Sequence, residues 1–90
     1  MNSRDIWDEN RRGRDLKLML HPIDWPGAVF VSRTGGPVFC LKRWVEGKME
    51  FANLEFYDGD FYLYDEGGKL LDQGGIKVCM QAIDNGWVAD

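Results

Sequence analysis

Ninety residues and 10.4 kDa hold one hydrophobic core, because two would each approach the size at which chains need disulfides, metals or partners to fold. A composition 44% hydrophobic, 29% charged and 13% aromatic, with mean hydropathy −0.39, excludes disordered, collagenous and membrane-spanning classes. The formal charge of −4 is unevenly spread: residues 1–20 carry five basic and four acidic side chains, residues 21–57 four of each, and residues 58–90 two against seven.

An acidic C-terminal third repels nucleic acid and anionic membrane, and speeds encounter with basic surfaces. Apolar runs stop at four residues, as at Ala28 to Val31, too few for a membrane helix. The arginine-studded N-terminus has no apolar signal-peptide core, so the expected location is cytoplasmic. Cys40 and Cys79 lie in apolar runs without partners at metal-ligand spacing, which predicts two buried, reduced thiols.

In chain order, Ser3 to Asn10 has the pattern of a short helix capped by Ser3, interrupted at Arg11-Arg12-Gly13-Arg14. Residues 1–14 are therefore expected to be flexible or briefly helical. From Asp15, Leu16, Leu18 and Leu20 alternate with Lys17 and Met19, the period of a half-buried strand. His21-Pro22 and Trp25-Pro26-Gly27 punctuate a turn-rich connection.

Strands are then expected at Ala28 to Ser32 and, after Thr34-Gly35-Gly36-Pro37, at Val38 to Val45, which is apolar on both faces and so central. Glu46-Gly47-Lys48 turns the chain into Met49 to Tyr57. There Met49 and Phe51 share one phase and Leu54 and Phe56 the other, a slip that predicts a β-bulge near Ala52-Asn53. Asp58-Gly59 between alternating runs is type I′ hairpin chemistry. Phe61 and Leu63 then alternate with Tyr62 and Tyr64, and Glu66-Gly67-Gly68-Lys69 leads to a short strand at Leu70-Leu71.

After Gly74-Gly75 the period becomes 3.6: Ile76, Cys79, Met80, Ile83 and Trp87 form one apolar stripe, and Asn85-Gly86 ends the helix. The expected architecture is a single α+β domain over residues 1–90. It is an antiparallel β-meander of about five or six strands with a C-terminal amphipathic helix packed on one face.

Catalytic motifs are lacking in this pattern. The doubled glycines at 35, 67 and 74 have no strand-to-helix phosphate fingerprint, and neither CxxC nor HExxH occurs. No metal site or cofactor is expected. Asp58-Gly59-Asp60 lacks the alternating acids and closing Glu of a calcium loop. A thiol nucleophile would need Cys40 or Cys79 beside His21, and paired carboxylates would need Glu50 to face Asp60. An enzyme is the least economical interpretation.

Two surfaces remain. Asp58, Asp60, Asp65, Glu66 and Asp72 cluster around neighbouring turns beside Tyr62 and Tyr64, the composition of a protein interface. They suggest a non-enzymatic module, an inhibitor or decoy, that docks a basic surface such as that of a nucleic-acid-binding protein. The alternative is a small-ligand or single-stranded nucleic-acid-binding module built on Trp7, Arg11, Arg12 and Arg14, with Trp25 and Trp44. Asp5, Asp8, Glu9 and Asp15 nearly cancel that arginine cluster and disfavour direct nucleic-acid binding. A third possibility is an assembly subunit that adds an edge strand or forms a homodimer.

Overall fold

The computed structural model describes residues 3–25 and 32–90, with side chains from Arg11 onward. The first element is one helix, α1 (Ser3–Met19), not a short helix followed by a strand. From Arg4 to Met19 only Ile6 is β-branched, and the remainder is rich in Arg, Lys, Leu, Glu and Met. A single exposed Gly13 costs about 1 kcal/mol relative to Ala, too little to break such a helix. Met19 is fully buried and Leu16, Leu18 and Leu20 pack against the same core, so their alternation marks the inner side of a last helical turn.

A 3-10 turn at Pro22–Asp24 then swings Trp25 under the sheet. Its indole Nε1 donates to the Leu18 carbonyl at 2.9 Å, and its ring packs against Phe39 and Phe61 at centroid distances of 5.5 and 6.1 Å. The strand expected at Ala28 to Ser32 falls largely outside the described residues.

Four strands follow as an antiparallel meander: β1 (Val38–Val45), β2 (Lys48–Tyr57), β3 (Asp60–Asp65) and β4 (Leu70–Gly74). After α2 (Lys77–Asp84), the two-residue β5 (Val88–Ala89) pairs with β1, giving the five-stranded order β4-β3-β2-β1-β5. The β2–β3 turn has the predicted conformation, with φ of 51° at Asp58 and 84° at Gly59.

The β1–β2 and β2–β3 registers run without a shift through Ala52 and Asn53. The bulge lies instead between β3 and β4, at Leu63/Tyr64. The phase change in β2 has another cause. Ala52, Leu54 and Phe56 face the helices, whereas Phe51, opposite Lys42, points to the other side and stays 40% exposed.

Both helices lie over one face. Phe39, Leu41, Leu54, Phe61 and Leu63 meet Val78, Cys79, Ala82, Ile83 and Trp87, with Met19 and Trp25 closing the core. The buried side of α2 is thus Val78, Cys79, Ala82 and Ile83, rotated from the expected stripe, and Ile76 and Met80 are exposed. Small Ala82 and Cys79 are on the side of the helix that packs against the sheet, and the larger Ile76 and Met80 are on the exposed side. Asp15 and Arg11 fasten α1 to β5: Asp15 Oδ2 accepts the Ala89 N–H at 3.0 Å and Arg11 donates to the Ala89 carbonyl at 3.2 Å.

This phase is directly testable. Ile83→Ala should cost about 2–5 kcal/mol in urea unfolding, as a large-to-small core change, whereas Met80→Ala should stay within about 0.5 kcal/mol. Equal costs at the two positions would place the helix in the other rotation.

Candidate functional site

The hairpin acids lie on β3, its two turns and the edge strand β4. Asp58 is at the β2–β3 turn and Asp60 opens β3 opposite Tyr57, while Asp65 closes β3 and Glu66 begins the next turn. Asp72 sits on β4 opposite Leu63. Because β3 separates the two turns, the acids do not converge on one rim; they form a strip about 17 Å long. Asp65 is also structural, since its Oδ1 accepts the Lys69 N–H at 2.8 Å and its carbonyl accepts Gly68 N–H at 3.0 Å. Asp58 and Glu66 are exposed.

Tyr62 and Tyr64 are brought together on the face away from the helices, with ring centroids 6.4 Å apart and planes inclined by 8°. The Arg33 guanidinium lies over the Tyr64 ring at 5.5 Å. Burial, then the charges of Glu55 and Tyr62, push the Tyr64 phenol above its ordinary value, against the pull of Arg33.

What fixes Arg33 there is Glu55, a carboxylate that is 0% exposed. It accepts from Ser32 Oγ at 2.7 Å, Thr34 Oγ1 at 2.7 Å, and the backbone N–H groups of Arg33 and Thr34 at 2.9 and 2.8 Å. Burial pushes its carboxyl up, but the hydrogen bonds from Thr34, Arg33 and Ser32 together outweigh it and hold the group below the usual value. The same segment passes so close to β2 that a Cβ at Gly36 would strike the Phe56 carbonyl.

A cleft of about 270 Å³ opens where β1 and β2 outrun their neighbours. β3 ends with Asp65 opposite Ala52, so Lys48 to Phe51 have no β3 partner. Glu50, Phe51, Asp65, Glu66, Leu71 and Trp87 line the gap. Arg43 sets its floor: Nε donates to Glu50 at 2.8 Å, another nitrogen donates to the Asn85 carbonyl at 3.1 Å, and the guanidinium stacks 4.2 Å from the Trp87 ring. Carboxylates beside Phe51 and Leu71 suit a long side chain with an apolar stem and a cationic head.

The other candidates are dispersed. Arg12 and Arg14 are exposed on α1, Arg11 is engaged with Asp15 and Ala89, and the Trp7 side chain lies outside the described residues. Trp25 is buried in the core, whereas Trp44 is 68% exposed. Cys79 is buried and its thiol pushed up to about 12 by that burial, but Cys40 is exposed, contrary to expectation. Cys40 sits opposite Asn53 on the open face, where its apolar neighbours in sequence point the other way. His21 Nδ1 donates to the Lys17 carbonyl at 2.7 Å. Glu50 pairs with Arg43 near one end of β2, and Asp60 faces Tyr57 at the other, so these carboxylates do not meet. Among the described residues, no group of three or more His, Cys, Asp or Glu could hold a metal, and no helix is long and apolar enough to cross a membrane.

Phe51 is not a site residue in the sequence reading, and Glu50 enters it only as a candidate catalytic partner of Asp60. The signal was present, in the phase difference between Phe51 and Leu54. Comparison with protein-family models, curated proteins and solved structures finds no match.

The lowered Glu55 carboxyl makes a signed prediction. Its contribution to stability is complete above the ordinary carboxylate value and is lost as pH falls through the depressed folded value. Glu55→Gln should therefore lose about 1–3 kcal/mol at neutral pH, and its deficit should shrink toward about pH 3. A deficit independent of pH in urea titrations would remove the ionised carboxylate from this role.

Proposed function

We propose that the chain is a non-enzymatic protein-binding module whose acidic β3–β4 hairpin docks a basic surface of a partner. Nucleic-acid-binding proteins are the partner class that fits, because a surface built to hold phosphates offers the complementary charge. An acidic hairpin seated there would compete with the nucleic acid as a decoy. Support comes from one observation above all: residues 58–74 carry five acids against the single Lys69, and these lie on β3, its two turns and the edge strand β4.

The cleft at the end of this strip adds a place for an anchoring lysine or arginine, whose head would meet Asp65 and Glu66, Glu50 being paired with Arg43, and whose stem would lie along Leu71. Tyr62 and Tyr64 add aromatic contact area, the residue type enriched at interface cores, while acids suit the polar rim. The arginines of α1 are less suited to a nucleic-acid site, since Arg11 is committed to holding β5.

Complementary charge acts mainly on encounter. With a partner recovered from the source cells and purified, the double change Asp60→Lys and Glu66→Lys should slow association about tenfold or more at low salt, with dissociation nearly unchanged. Asp65 is left intact because its carboxylate closes the turn. Arg12→Ala with Arg14→Ala should bind as wild type does. The reverse ranking, arginines essential and acids dispensable, would contradict the proposal.

A further inference from the structure

The cation on the tyrosine face belongs to the chain itself. Tyr64 is half-buried, paired with Asn53 of β2 on one side and Leu70 of β4 on the other, and the Arg33 guanidinium lies over its ring at 5.5 Å. The same guanidinium lies against Gly68 in the β3–β4 turn, where a Cβ would come within 2.8 Å of Nε and 2.9 Å of Nη2. An aromatic ring and a bare stretch of backbone thus form a slot that holds a flat cation.

Arg33 is fastened by its backbone and not by its side chain. Its N–H donates to both oxygens of the Glu55 carboxylate at 2.9 and 3.1 Å, and the Thr34 N–H adds a third bond at 2.8 Å. The side chain is exposed, and among the described residues its guanidinium has no hydrogen-bond or ion-pair partner. Five N–H donors are therefore committed to nothing in the fold.

We propose that the slot formed by Tyr64 and Gly68 is a binding site for an arginine of the partner, and that Arg33 is an internal stand-in that yields the ring on docking. A solvent-exposed contact between a cation and a ring is weak, and one guanidinium replaces another there without loss. The exchange leaves the backbone in place, since Glu55 keeps Ser32 to Thr34 on the sheet whatever the side chain does. Arginine fits better than lysine, because the planar, weakly hydrated guanidinium stacks on an aromatic face. Asp65 and Glu66 follow Tyr64 directly, so further cations of the same segment meet the acidic strip. The inference rests on the proposed basic partner, and adds the residue type it presents and the contact it displaces.

Hexaarginine titrated into the full chain at low ionic strength should move the Tyr64 ring protons and the Arg33 Nε–H resonance together, and hexalysine should move them about half as far or less. Arg33→Gln, which keeps the backbone bonds to Glu55, should bind hexaarginine about three- to tenfold more tightly. In a Tyr64→Leu background the same change should gain about twofold or less, the part due to charge alone. Hexaarginine that shifts the hairpin acids but leaves Tyr64 and Arg33 unmoved would overturn this site and leave the acidic strip standing. A response at Tyr64 and Arg33 without one at the acids would keep the site and remove the strip. Weaker binding by Arg33→Gln, or an equal gain with and without the Tyr64 ring, would make Arg33 a fixed strut and overturn the proposal.

Discussion

The Glu55 carboxylate is the interaction on which the distribution of surfaces depends, because it decides how far the second face of the sheet is covered. Both helices are spent on one face, and the strands present a second one equally wide. Taking an ion out of water costs several kcal/mol even after relaxation, so such a carboxylate persists only where donors surround it. Ser32, Arg33 and Thr34 supply those donors, and in doing so are drawn onto the sheet over the row of Val38. Among the described residues, this cover is supplied by Ser32 to Thr34. Arg33 reaches Tyr64, while Trp44, Met49 and Phe51 lie beyond.

The remaining surfaces follow from the strand order. A meander puts β3 and β4 at one side, and the acidic third of the chain goes with them, while the near-neutral β1 and β2 lie towards β5. The hairpin side thus combines the acids with exposed Leu70 and Leu71, while Trp44 and Phe51 are exposed on β1 and β2. The cleft joins them, since β2 continues past Asp65 and shows Glu50 and Phe51 at the notch. Arg43, held between Glu50, Trp87 and the Asn85 carbonyl, locks the end of α2 to the β1–β2 hairpin and so gives the notch a fixed wall.

Much of this was legible in local chemistry. Asp58-Gly59 declared its hairpin because few other residue pairs accept positive φ at both positions, and the change of period after Gly75 located α2. Other features depend on what the chain meets at a distance. Leu16, Leu18 and Leu20 satisfy a strand pattern as well as the inner side of a helix end, and only packing against the core around Met19 separates the two. The rotation of α2 buries Ala82 and exposes Met80, an order that hydrophobicity alone does not give. Glu55 reads in sequence as an ordinary strand acid, since its partners are more than twenty positions earlier in the chain. The same holds for Cys40, whose neighbours are apolar but whose own side faces outward.

The central claim, that the β3–β4 edge is an electrostatic docking surface, is tested most directly by amide chemical shifts of the full chain titrated with an oligoarginine peptide at low ionic strength. Shifts are predicted to concentrate at Asp58 to Asp60, Asp65 to Glu66 and Asp72, to include Glu50 at the cleft, and to fade as salt screens the charges. Shifts spread evenly over every acidic residue, with Asp84 and Asp90 responding as strongly as the hairpin, would contradict it.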